Sequence, residues 1–264
     1  MAGMGGCSGN HGVIISATIK AHPETRVSGA KFLVVPPTDK TELIYDGINV
    51  FHAVLSKIAD SGVMIIYLFF DLFLQVPAMT AYNKTEAKVK KTLTPLADSF
   101  SSLFVTFRPD LTQCSNYYED YDHYRGPLPA GNIQAGTQVF GGRLLPRNKL
   151  NDFSPTARRI EEMGVIYIGV GLDVSKFGQN NTNSKITDEI QPVVEAATPS
   201  PGAYINEADF QQKSWRETFY GVNYTKLLEI KKKYHPQSLF YTTVGVGSEA
   251  LMVGNDGRMC KARR

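Results

Sequence analysis

"GAYINEADFQQKSWRETFYGVNYTKLLEIKKKYHPQSLFY", Gly202 to Tyr241, joins two local patterns on which the reading of the chain turns. Tyr204, Asn206 and Glu207 stand in a piece that reads as extended, and alternation sets Tyr204 and Asn206 on one face and Glu207 on the other. Beyond them, Asn223 to Pro236 reads as a helix with Leu227, Leu228 and Ile230 in its apolar stripe, stopped by the proline. The basic run Lys231 to Lys233 fits a solvated helix face. Packing accounts for the helix by itself. A tyrosine, an amide and a carboxylate within four positions are candidates for chemistry.

Toward the N-terminus, strand and helix patterns alternate. "VIISATIKA" (13–21) is β-branched with alternating polarity and predicts a first strand, and "AKFLVV" (30–35) predicts a second that ends at Pro36 and Pro37. A helix is expected from Thr38 as cap to Gly62 as stop. Strand material follows over 63–82, a helix over 85–100, and another strand over "SSLFVTFRP" (101–109). Strands come in neighbouring pairs between helices, which predicts an α+β fold: an antiparallel sheet with helices on one face. The aromatic stretch after Cys114 places Tyr117, Tyr118, Tyr121 and Tyr124 close to His123 and Arg125. It reads either as the lining of a pocket for an organic substrate or as a surface loop with partly buried tyrosines. A helix over 154–164, a strand over 165–174, a polar loop and a short helix ended by its prolines complete the pass.

Composition sets limits. At 264 residues with 42% hydrophobic content, the chain can bury a core in one large or two small domains. A net charge of +3 is too small to imply nucleic acid. Cys7, Cys114 and Cys260 are odd in number and far apart, against a disulfide framework or a C-x-x-C metal site. Cys7 and His11 share a spacing that converges only on a helix, which this segment does not form, so no metal is expected. The most apolar stretch, around Asp71, is shorter than the ~20 residues of a membrane span. "MAGMGG" has neither the basic start nor the apolar run of a secretory signal. Sequons at Asn83, Asn180 and Asn223 would matter only in a secreted chain.

The glycine-rich stretch "GMGGCSGNHGVIISATIKAHP", Gly3 to Pro23, fails two phosphate-loop tests. A Walker loop ends in Gly-Lys-Ser/Thr, whereas Val13 and Ile14 follow Gly12. A dinucleotide fingerprint opens a helix, whereas strand-like sequence follows here. What remains is a loop whose glycines let the backbone approach a flat or bulky ligand, or a flexible tail.

The order "YINEAD", Trp215, "FYGVNYTKLLEIKKKYHPQSLFY" and "VGVGSE" resembles the C-terminal segment of the berberine-bridge-enzyme-like FAD-linked oxidoreductases, especially the fungal branch related to isoamyl alcohol oxidases. "GGCSGNHGVIISATIKAHP" is similar to the stretch that closes the FAD-binding half in that family, and "FGGRLLPRNKL" to a landmark between the two. The resemblance implies the substrate domain of the vanillyl-alcohol-oxidase-type flavoprotein fold plus remnants of the FAD half. Residues 1–35 would end the FAD-binding half, 36–195 would form the substrate-binding domain, and 196–264 the berberine-bridge-like segment. The first strand and last helix would then lie together.

By the same resemblance, Tyr204 and Asn206 border the flavin, Asn10, His11 and Gly12 approach it from the glycine-rich side, and Glu207 occupies the place where related sugar oxidases keep a catalytic tyrosine. A base there takes the hydroxyl proton of an alcohol, which a carboxylate does near neutrality only if burial raises its pKa. Otherwise Glu207 is an exposed strand carboxylate. The large FAD domain of the family, with its pyrophosphate loop and flavin-attachment residues, has no counterpart in the sequence, and Cys7 and His11 lie in the wrong motif to replace it. The stretch at 177–189 departs from the family pattern as well. FAD is therefore the implied cofactor, with weak or absent binding expected of this chain alone, and self-association through the uncovered FAD-side face is expected. A small-molecule substrate is the implied partner, with no nucleic acid and no membrane. Alternatives are a cofactor-free isomerase or cyclase using Glu207 as acid or base, and a non-catalytic ligand-binding remnant.

Overall fold

The computed structural model describes residues 10–69, 72–103, 105–127, 143–144, 148–149, 155–156, 158–159, 184–199, 202–205, 208–254 and 257–262. The expected helix over 154–164, most of it, and the strand over 165–174 lie outside them. Two compact units divide the chain: Met1–Ile19 with Val139–Pro146 and Asp173–Arg264, and Lys20–Gln138 with Arg147–Leu172.

The unit that starts at Lys20 is an antiparallel sheet with strand order β2-β3-β1-β4, formed by β1 (Val27–Val34), β2 (Met64–Phe69), β3 (Leu74–Tyr82) and β4 (Asp110–Cys114). Alternation decides its faces. Ala30, Phe32 and Val34 of β1 and their partners Met79, Val76 and Leu74 of β3 are buried. Two long helices build the core with them: α1 (Leu43–Asp60), which brings Phe51 to 4.9 Å from the Tyr67 ring, and α2 (Glu86–Ser102), whose Phe100 reaches Phe32 through Phe107. α2 begins at Thr85, which accepts from the Lys88 amide as an N-cap. α1 starts at Leu43 instead of Thr38 because two hydrogen-bonded turns, Lys40 to Pro37 and Leu43 to Lys40, intervene after the prolines. The expected antiparallel α+β sheet with helices is present.

Three local expectations are corrected. "VIISATIKA" forms no strand and pairs with no described strand, and Val13, Ile14, Ile15 and Ile19 are exposed; β propensity without a ladder partner makes no sheet. "SSLFVTFRP" is not a strand: α2 runs on to Ser102, Phe107 turns into the core, and pairing starts only after Pro109, which has no amide to give. The tyrosine-rich stretch holds a helix, α3 (Tyr117–Arg125), where a loop was expected. Its signal was Asn116-x-x-Glu119, a capping arrangement in which Asn116 accepts from the Glu119 amide and the Glu119 carboxylate accepts from Ser115.

α3 packs on the face that carries Gly29, Thr80 and Thr112, whereas Phe32 turns the other way toward α2, so the helices do not all lie on the one face expected. Thr112 and Tyr124 hydroxyls meet at α3, and Thr80 donates to Asp120. Burial raises the Asp120 carboxyl above its ordinary range, opposed by the Thr80 hydrogen bond. Tyr124, half-buried, is pushed up to about 12 by the same desolvation.

His52 carries a pH prediction. It is buried on α1 among Phe51, Tyr67 and Phe69, with Nε2 3.2 Å from the Tyr67 hydroxyl, and desolvation lowers its pKa to about 4. Between the ordinary value near 6.5 and 4, the unfolded chain takes up a proton that the folded one refuses. Stability is therefore full above pH ~6.5 and falls by up to about 3 kcal/mol as the pH drops toward 4. Urea unfolding of wild type and His52→Leu at pH 7 and pH 4.5 checks this: the variant should show a shallower acid loss.

The other unit contains a π-turn (Ile186–Ile190) that runs into α4 (Gln191–Ala197), a second π-turn (Arg216–Tyr220), α5 (Tyr224–Tyr234) and a hairpin of β5 (Leu251–Val253) with β6 (Met259–Lys261). The α5 stripe differs from expectation. Ile230 is 39% exposed, whereas Lys231 is 2% exposed. Tyr224, Leu227, Leu228 and Lys231 form the inward face at helical spacing. The lysine run is thus not wholly a solvated face. Among the described residues no helix is long and apolar enough to cross a membrane, and no cluster of His, Cys, Asp or Glu could hold a metal.

Candidate functional site

The unit with α5 brings together the sequence segments singled out at both ends of the chain. Asn10 is fully buried, its Nδ2 donating to the Val246 carbonyl at 2.9 Å. Its Oδ1 accepts from Lys231 Nζ, which also donates to the carbonyls of Phe240 (3.1 Å) and Val246 (2.8 Å). Gly12 follows closely: a Cβ there would meet only His235 Nε2, at 3.8 Å. The His235 ring in turn stands edge-on to Phe240. Asn10 to Gly12 of the glycine-rich segment are therefore held by α5 and the turn after it.

That turn, Thr242 to Gly247, is tight. Val244 has φ 55°, a left-handed conformation that a β-branched residue adopts only under constraint. Tyr220 donates its hydroxyl to the Val244 carbonyl, and the Gly247 amide donates to Tyr224. A Cβ at Gly245 would stand 2.6 Å from Thr242 Cγ2 and 2.9 Å from Asn10 Cγ, so only glycine lets the turn close on Asn10. Tyr224 donates to Glu249 at 2.6 Å; burial first, and this hydrogen bond second, raise its phenol to about 12. Arg216 pairs with Glu249 and lies 5.4 Å from the Trp215 ring and 5.5 Å from that of Tyr224.

Chain entry into "YINEAD" is fixed by backbone contacts. Ala203 donates to the Thr218 carbonyl, Leu144 donates to the Gly202 carbonyl, and a Cβ on Gly202 would meet Thr218 O at 2.8 Å. Arg143, from the "FGGRLLPRNKL" landmark, donates to both Oγ1 and O of Thr198. On the far side, Asp209 is 2% exposed, with Oδ2 accepting from Thr187 at 2.6 Å and Oδ1 from the Gln211 amide at 2.9 Å. Tyr204 is half-exposed between these anchors. Asn206 and Glu207 lie outside the described residues.

Asp209 is the residue the sequence reading missed. Its signal was a short carboxylate placed two positions before Gln211, where an Asx-type turn forms. Asp209→Ala leaves the Thr187 hydroxyl and Gln211 amide without this acceptor, and about 2–4 kcal/mol should be lost. The sole tryptophan, Trp215, lies in this unit, so its fluorescence in urea reads the loss directly. A change under 1 kcal/mol would show that Asp209 does not anchor the segment.

The fit to a flavin can be tested on these residues. The Asn10 amide is engaged with Lys231 and Val246, so it shapes the segment and does not reach outward. Gly12, whose Cβ position meets only His235 Nε2 at an ordinary 3.8 Å, and the half-exposed Tyr204 leave room for a flat ring. The residues fit the ring end of FAD. For the pyrophosphate end, the sequence carries neither of the loops considered above.

Comparison with known proteins follows the same segments. A family model described as "Berberine and berberine like" matches residues 203–247. The chain is 38% identical to the FAD-linked oxidoreductase ZEB1 of Gibberella zeae, over 98% of this chain and 51% of that protein. It is 26% identical to a bifunctional decalin synthase of Penicillium decumbens, over 97% of this chain and 52% of that protein. The crystal structure of a VAO-type flavoprotein from Myceliophthora thermophila C1 superposes with a TM-score of 0.88 at 26% identity, covering 96% of this chain and 53% of that one. By motif, sequence and fold the chain is similar to the berberine-bridge-enzyme-like FAD-linked oxidoreductases, and it spans about half the length of the curated relatives it matches.

Proposed function

We propose that the chain supplies the ring-facing and substrate-activating half of an FAD-linked oxidoreductase that oxidises an alcohol or a similar small organic molecule. The observation that carries this reading is the single compact unit in which Lys231 ties Asn10 to the segment matched by the berberine-like family model. FAD, when bound, supplies the two-electron acceptor for such an oxidation. Glu207 accepts the proton of the substrate hydroxyl at its carboxylate, Tyr204 offers a half-exposed ring on which a flat group can lie, and Gly12 leaves the backbone open to close approach. Asp209 and the Gly202–Ala203 contacts anchor the described residues that flank Glu207 in sequence.

A second reading has one specific support, the similarity to a protein named for decalin synthesis. In it the same carboxylate serves as acid or base in a cyclisation or isomerisation. Assaying the chain on candidate alcohols with and without added FAD, following product formation, tests the first reading. FAD-dependent oxidation supports it, and turnover that needs neither flavin nor oxygen favours the second.

A further inference from the structure

Among the described residues Lys231 is a buried cation with no ion pair to its ammonium, Glu249 acting on it through its field alone. The lysine's three donors go to three neutral oxygens, Asn10 Oδ1, Phe240 O and Val246 O, and it is 2% exposed. Burying an ammonium is costly, so a lysine stays in such a place only when its hydrogen bonds are complete. Its position in the last turn of α5 adds the favourable end of the helix dipole. A leucine would fill the same site on the helix stripe. The lysine instead joins residues 221 positions apart in sequence, and Asn10 also bonds Val246, so the two side chains share one carbonyl. The Thr242–Gly247 turn that they hold contains the left-handed Val244 and the tightly packed Gly245.

We infer that Lys231 is a positioning residue: its ammonium fixes the Asn10–Gly12 segment against the Thr242–Gly247 turn, and so sets the backbone surface at Gly12 that faces the flavin ring. The last clause rests on the function proposed above; the positioning itself does not. Backbone order parameters measured by NMR on the intact chain test it. In wild type, Asn10, His11 and Gly12 should be rigid, with values of about 0.85, and in Lys231→Met they should fall below about 0.6 while α4 keeps its values. Asn10→Ala removes one acceptor and leaves the ammonium its two carbonyls, so it carries the test should Lys231→Met not fold; the same local loosening is expected.

The double variant Lys231→Met/Asn10→Leu separates positioning from mere filling. Replacing both partners by apolar groups removes the buried ammonium and amide together but takes their donors from the Phe240 and Val246 carbonyls, so the stability read by Trp215 fluorescence should recover in part only, while Asn10–Gly12 stays mobile. Unchanged order parameters in Lys231→Met or Asn10→Ala overturn the inference. So does a double variant that restores both stability and rigidity. None of these outcomes depends on flavin, so a chain that binds no flavin would sink the proposed function and leave the positioning standing.

Discussion

Glu207→Gln is expected to lower turnover of an alcohol substrate by ~100-fold or more while substrate binding changes little. Glutamine keeps the size and hydrogen-bonding reach of the side chain and removes the base, so the loss should fall on kcat. The same substitution serves both functional readings, and cofactor dependence separates them. For an FAD-linked oxidation, wild-type activity requires FAD and the variant loses it; for a cofactor-free cyclisation, the variant loses an activity that never needed flavin. Assaying wild type and variant on the same substrates, each with and without FAD, yields the four rates required. Equal rates for both proteins under both conditions would remove Glu207 from the mechanism and leave the pocket tyrosines as proton-transfer candidates.

Gly29→Ala should produce the largest stability loss in the sheet unit. A Cβ at Gly29 would stand 2.6 Å from the Met79 carbonyl oxygen and 2.6 Å from Tyr124 Cε2, with the Tyr124 hydroxyl at 2.8 Å. Met79 pairs with Ala30 in the β1–β3 ladder, and Tyr124 is held by Thr112, so neither neighbour yields freely. Overpacking of this kind costs ~3 kcal/mol, and here it also loosens α3, which the same tyrosine pins to the sheet. Gly12→Ala is the contrast, because its Cβ would meet only His235 Nε2 at an ordinary 3.8 Å. Hydrogen exchange through β1 and β3 should be strongly accelerated in Gly29→Ala and unchanged in Gly12→Ala. A Gly29→Ala loss below 1 kcal/mol would mean that α3 packs less closely than the geometry states.

The sheet was legible in the sequence because β1, β2 and β3 carry β-branched and aromatic residues between clear helix patterns, and the hairpin from Met64 to Tyr82 pairs neighbours in sequence. β4 was missed because "DLTQC" is polar; it earns its place through pairing with β1, a long-range contact that local pattern does not report. The reverse error fell on "VIISATIKA", where local propensity is high and a partner strand is lacking among the described residues. In the candidate site, glycine and tyrosine positions could be carried over from a resemblance, whereas Lys231 could not be read as buried, since three successive lysines look alike until the partners of one are known. Its place at i+7 from Tyr224, on the stripe of Leu227 and Leu228, was the one available sign.

The most direct measurement compares riboflavin with FAD as ligands of the purified chain, by titrating each and following quenching of flavin fluorescence. If this half of the family fold meets the ring end and carries no pyrophosphate loop, both should bind weakly and alike, with Kd above ~1 μM and within about threefold of each other, because the adenylate half adds no contact. FAD binding 100-fold tighter than riboflavin, or submicromolar, would place a phosphate site in this chain and contradict the assignment; saturation by neither ligand at millimolar concentration would contradict a flavin-facing surface altogether.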